Sequence, residues 1–91
     1  MMKHVHLIIH GRVQGVGFRF SAKQKAKEFN VNGWVQNRQD GTVEVEAEGE
    51  EKQIDAFLEA LKHGPSPYAK VSDIDITNFD QIKGFKTFEI K

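Results

Sequence analysis

The chain has 91 residues, 38% of them apolar and including seven Phe and one Trp, which is enough for one compact core and too little for two. Lys plus Arg and Asp plus Glu number thirteen each, so a net charge of zero argues against a general attraction to nucleic acid or to an acidic membrane. The absence of cysteine removes disulfides, thiolate nucleophiles and Cys-based metal centres.

The start, MMKHVHLIIHG, has no apolar core of signal-peptide length, and no stretch approaches the ~20 apolar residues of a membrane span. A soluble, cytoplasmic protein folding as one domain over residues 1–91 is expected, with a monomer as the simplest state.

From His4 to His10 the pattern alternates, with Val5, Leu7 and Ile9 on one face, which predicts a strand with one covered side. Gly11-Arg12-Val13-Gln14-Gly15-Val16-Gly17 is too glycine-rich for regular structure. At Phe18 the period becomes helical, with Phe18, Ala22, Ala26 and Phe29 on one stripe and Lys23, Lys25 and Lys27 outside it. A second strand is expected from Val31 to Asn37 and a third from Thr42 to Glu48, where Val43, Val45 and Ala47 alternate with Glu44, Glu46 and Glu48. The Asp40-Gly41 step between them favours a tight hairpin turn.

Ile54, Phe57, Leu58 and Leu61 set out a second helix after Gly49, stopped by Gly64-Pro65. Val71, Ile74 and Ile76 mark a fourth strand, and Phe85, Phe88 and Ile90 a short last one. The order β-α-β-β-α-β predicts a ferredoxin-like α/β sandwich of the α+β class. Two helices cover one face of an antiparallel sheet, and a short extra strand can follow at the C-terminal end. The other face, carrying His4, His6, Glu44, Glu46 and Glu48, is expected to meet solvent. Such a fold hosts enzymes, RNA binders and small-molecule sensors alike.

The segment Gly11 to Arg19, GRVQGVGFR, joins a strand to a helix start, where free backbone N–H groups point outward and the helix dipole is positive. Glycines at 11, 15 and 17 let successive amides converge into an anion nest, and Arg19 adds a planar fork of donors suited to phosphate oxygens. The plainer reading is a tight strand–helix turn with a solvated arginine. The Gly-Lys-Ser/Thr ending of a nucleotide-binding P-loop is missing, and no acidic residue is obviously placed for magnesium. Asn37, taken alone, reads as an ordinary residue beside a turn. His4, His6 and His10 share a strand face, and His63 closes the second helix; no further His or Cys partner is spaced to complete a metal site. No metal or cofactor is therefore expected.

GRVQGVGFR resembles the signature loop of acylphosphatases, Gly-x-Val-Gln-Gly-Val-x-Phe-Arg, and Gly33-Trp34-Val35-Gln36-Asn37-Arg38-Gln39-Asp40-Gly41-Thr42-Val43 is similar to that family's second signature. Gly64-Pro65, Ala69-x-Val71 and Phe88-x-Ile90 extend the likeness over nearly the whole chain. The resemblance implies that backbone amides at Gln14, Gly15, Val16, Gly17 and Phe18, with Arg19, hold the phosphate of a small acyl phosphate. It further implies that Asn37 orients the attacking water; Trp34 reads as packing with or without the resemblance. Two other readings share the element order. One is a module that binds a phosphate anhydride or small metabolite without turnover. The other is an RNA-recognition domain, which Glu44, Glu46 and Glu48 on the third strand oppose.

Overall fold

The structure is a computed structural model that describes residues 1–91. Its elements are β1 (Met2–Arg12), α1 (Phe18–Glu28), β2 (Asn32–Asn37), β3 (Val43–Glu50), α2 (Glu51–Lys62), β4 (Lys70–Phe79) and β5 (Phe88–Ile90). They form a five-stranded sheet in the order β4-β1-β3-β2-β5, with both helices on one face. The ferredoxin-like expectation holds. β1 and β3, the central pair, both run longer than their apolar alternation indicates, because pairing on each side continues past the last covered side chain.

Register explains why the apolar stripes meet. Val5 stands opposite Ala47, Leu7 opposite Val45 and Ile9 opposite Val43, so a slip of one residue would turn every one of them outward. Val35 joins the same layer from β2. Against it α1 places Phe18, Ala22 and Ala26, and α2 places Ile54, Phe57, Leu58 and Leu61. Each fully buried Leu, Ile or Phe contributes about 1.5–3 kcal/mol, which makes this inner layer the main source of stability.

Two expectations are corrected. The sheet is mixed, because β5 pairs with β2 in parallel. Having left β4 at one edge, the chain crosses the whole outer face before it reaches the other edge at β2, and that crossing sets its direction. The same crossing overturns the expectation that the outer face is solvated. His4, Glu46 and Glu48 are only 2%, 6% and 3% exposed, covered by residues 80–87 and by Phe79. His6 and Glu44 are half-buried beside Trp34.

Polar groups on this covered face are paired. His6 Nε2 lies 2.6 Å from Glu44 Oε2, and Gln36 Nε2 donates to the other Glu44 oxygen at 2.8 Å. The His6 contact holds the Glu44 carboxyl below its ordinary value; burial opposes the shift and Gln36 reinforces it. At Glu46 burial pushes the other way most strongly. The Lys83 ammonium at 2.9 Å and His4 Nε2 at 2.8 Å outweigh it, so this carboxyl too is held low.

Candidate active site

The loop between β1 and α1 curls because Gly15 and Gly17 take φ of 72° and 76°, the left-handed region that side-chain-bearing residues rarely enter. Gly17 is the N-cap of α1, which carries no side-chain cap and no acidic residue in its first turn. The first-turn amides therefore face outward at the positive end of the helix dipole, where an anion is favoured. Behind them Val13 and Phe18 are buried in the core and anchor both ends of the curl. Ser66 Oγ donates to the Val16 carbonyl oxygen at 2.7 Å and fixes its middle.

Asn37 arrives from another element. It is the last residue of β2 and is exposed, next to a turn closed by Arg38 N donating to the Thr42 carbonyl at 2.9 Å and Gly41 N to the Arg38 carbonyl at 3.2 Å. Thr42 Oγ1 and Thr42 N both donate to Asp40 Oδ1, at 2.6 and 3.0 Å, and these bonds hold the Asp40 carboxyl below its ordinary value. Gln14 joins turn and loop: its Nε2 donates to the Arg38 carbonyl at 2.7 Å and to the Thr42 carbonyl at 2.8 Å.

Arg19, in the first turn of α1, is steadied from a third direction, with Nη1 donating to the Lys91 carbonyl just past β5 at 3.1 Å. Arg19 and Asn37 line one open cavity of about 240 Å³ with Gly15, Gly17 and Phe18, bounded by Val13, Phe20 and Ile90. This is smaller than the usual pocket for a drug-sized molecule and suits a phosphoryl group whose substituent extends outward.

Of the residues singled out from sequence, Gly15, Gly17, Phe18, Arg19 and Asn37 thus meet at one place. Gln14 and Val16 stand behind it: the Gln14 side chain turns to the β2–β3 turn, and Val16 packs partly buried against the core. Phe20, 61% exposed, and Ile90, 40% exposed, complete the rim. The sequence marks neither as a site residue, although Ile90 belongs to the Phe88-x-Ile90 string, since their proximity depends on β5 reaching the far sheet edge. The histidines lie elsewhere and face carboxyl groups, His10 Nε2 meeting Asp75 at 2.8 Å. A wider groove of about 490 Å³ between α1 and β5, lined in part by Lys23, Lys27 and Phe88, holds neither Arg19, nor Asn37, nor any residue of the glycine loop.

The acylphosphatase family model matches residues 5–90. The chain belongs to the acylphosphatase family. An acylphosphatase from Oceanobacillus iheyensis is 41% identical over 99% of both chains. The crystal structure of acylphosphatase from Bacillus subtilis superposes with a TM-score of 0.94 at 44% identity, covering 100% of this chain and 99% of that one. Full-length HypF in its phosphate- and nucleotide-bound form contains a similar unit. That unit matches 100% of this acylphosphatase-family chain at a TM-score of 0.87 and 31% identity, but makes up only 12% of HypF. No helix is long and apolar enough to cross a membrane.

Proposed function

We propose that this acylphosphatase-family protein hydrolyses a small acyl phosphate at the cavity shared by Arg19 and Asn37. The loop amides of Gln14, Gly15, Val16, Gly17 and Phe18 and the Arg19 guanidinium take the phosphoryl oxygens, the Asn37 carboxamide holds the water, and the acyl group leaves past Phe20 and Ile90. The observation that carries this reading is that a guanidinium from α1 and a carboxamide from the end of β2 open onto the same small cavity beside an uncapped helix start.

An acyl phosphate is a mixed anhydride with a carboxylate leaving group, so its hydrolysis needs positioning and charge stabilisation more than acid catalysis. The water oxygen forms a bond to phosphorus as the bond from phosphorus to the acyl oxygen breaks. The carboxylate departs with the bonding electrons, and the water proton passes to a phosphoryl oxygen of the substrate itself. No Asp, Glu or His of the chain, and no metal or cofactor, has a step in this scheme. We further read the protein as a cytoplasmic monomer acting as one domain on a small molecule and not on nucleic acid; the zero net charge supports the last of these and the lack of cysteine fits a reducing compartment.

Hydrolysis of benzoyl phosphate under EDTA by wild type, Arg19→Ala and Asn37→Ala tests the assignment. Turnover by wild type is expected, with Asn37→Ala slowed at least ~10²-fold as for a lost preorganised donor, and Arg19→Ala impaired in both phosphate binding and rate. Near-normal turnover by folded Asn37→Ala would overturn its role. The likeness to a small part of HypF favours one other reading, a phosphate-anhydride binding module without turnover; phosphate binding with no wild-type hydrolysis would establish that one instead.

A further inference from the structure

Glu48 is a buried acidic side chain with no part in the proposed chemistry, yet it gathers three backbone donors. The N–H groups of Lys83, Gly84 and Phe85 all donate to it, the last two at 3.0 Å to Oε1. Consecutive amides converging on one anion form the kind of nest that loops offer to bound phosphate. Here the anion is the protein's own side chain, on the central strand β3.

Neighbouring contacts tie the same strap. His4 Nδ1 donates to the Gln81 carbonyl at 2.7 Å, Asn32 Nδ2 donates to the Phe85 carbonyl at 3.0 Å, and Lys83 Nζ meets Glu46. Residues 81 to 85 are thus held to β1, β2 and β3 at once. They lead into β5, a three-residue strand on the sheet edge, joined to β2 through bonds such as Gly33 N to the Thr87 carbonyl and Lys91 N to the Val35 carbonyl, each 2.8 Å. So short a strand takes its position largely from the chain that delivers it.

That position matters at the cavity. Ile90 lines it beside Arg19 and Asn37, and the Lys91 carbonyl is the acceptor that orients the Arg19 guanidinium. For stability alone, apolar side chains could close the outer face without the desolvation cost of a carboxyl group. A carboxyl group does what they cannot, by fixing three successive backbone amides at defined distances.

We propose that Glu48 is a positioning residue for acyl phosphate hydrolysis, acting through the 81–85 strap and β5 on the orientation of Arg19. The proposal rests on the reading that Arg19 holds the phosphoryl group, and its test separates the two. Glu48→Gln keeps the side-chain shape but replaces one carboxylate oxygen by an N–H donor, so the remaining oxygen serves Gly84 and Phe85 while the Lys83 N–H loses its acceptor. Inhibition by inorganic phosphate, KM and kcat for benzoyl phosphate, and amide exchange at Lys83, Gly84 and Phe85 are measured in wild type, Glu48→Gln, Arg19→Ala and the double variant.

Glu48→Gln is expected to speed exchange most at Lys83, whose acceptor is lost, and to raise the phosphate inhibition constant and KM by about tenfold, the scale of effect that sub-ångström misplacement produces. In the Arg19→Ala background it should add nothing, since the two act along one route. Wild-type constants in folded Glu48→Gln would overturn the proposal and leave the Arg19 reading standing, as would an equal added loss in the double variant. Undiminished phosphate binding by Arg19→Ala would overturn both. Should Glu48→Gln fail to fold, Gly84→Val strains the strap from its solvent side, where φ is 81° and no atom lies within 4 Å of an added Cβ; the same kinetic change is expected, and unchanged constants would overturn the proposal.

Discussion

The Gln14 carboxamide spends its N–H groups on the Arg38 and Thr42 carbonyls, so it spans from the β1–α1 loop to the turn after Asn37. Replacing it by Leu leaves the loop amides in sequence but cuts that tie. On the proposed mechanism, in which the loop amides bind phosphate and Asn37 holds the water, phosphate inhibition should stay close to wild type while kcat falls about tenfold or more, the water being held less accurately relative to phosphorus. Steady-state kinetics with benzoyl phosphate read the split; a rise in the phosphate inhibition constant with unchanged kcat would show that Gln14 serves the loop and not the water. From sequence only a backbone role for Gln14 is legible, since the motif places the residue in the loop and nothing in it says where the side chain turns. Arg19 and Asn37 are readable as candidates because each sits in a long signature string. Phe20 and Ile90 are not, because an exposed apolar residue at a helix start has no site pattern of its own and Ile90 is legible only as part of the last strand.

Among the elements, α2 shows how periodicity becomes packing. Its stripe of Ile54, Phe57, Leu58 and Leu61 is entirely buried, and the Phe57 ring meets Phe88 of β5 edge-on, with centroids 5.8 Å apart. Phe57→Ala is expected to cost about 3–5 kcal/mol, the range for emptying an aromatic site in a core, whereas Phe20→Ala, on an exposed rim, should remain within about 0.5 kcal/mol of wild type. Urea unfolding followed by circular dichroism distinguishes them, and equal losses would contradict the burial difference. Both helices and the inner faces of β1 and β3 arise from the 3.6 and 2.0 periods in the sequence. β5 is legible as a short last strand in Phe88 and Ile90, but its parallel pairing is not, being a consequence of where the preceding strap runs.

For the molecule as a whole, the covered outer face makes a prediction about acid. Glu44 and Glu46 are both held below their ordinary value of 4.5 in the folded state. A carboxyl group whose folded value is depressed binds fewer protons than in the unfolded chain, so its stabilisation is fully present above about pH 4.5 and is lost as pH falls through the folded value. Unfolding midpoints in urea should therefore hold between about pH 7 and 5 and drop progressively below about 4.5. Glu46→Gln should be less stable near neutrality and show a shallower acid loss. A midpoint that rises toward low pH would reverse the sign of this linkage.

The sequence by itself determined the order of elements, the inner apolar face, the glycine curl that opens onto a helix start and the two strings that hold Arg19 and Asn37. All of these are local: they depend on period, backbone freedom or contiguous residues. Only the tertiary structure decided that His4, Glu46 and Glu48 lie beneath a strap, that β5 pairs in parallel with β2, and that Arg19 is steered from the Lys91 carbonyl. The alternating charges of β3 look the same whether water or another part of the chain covers them. The difference comes from residues 80–87, which have no periodicity and take their path from hydrogen bonds to strands far away in sequence.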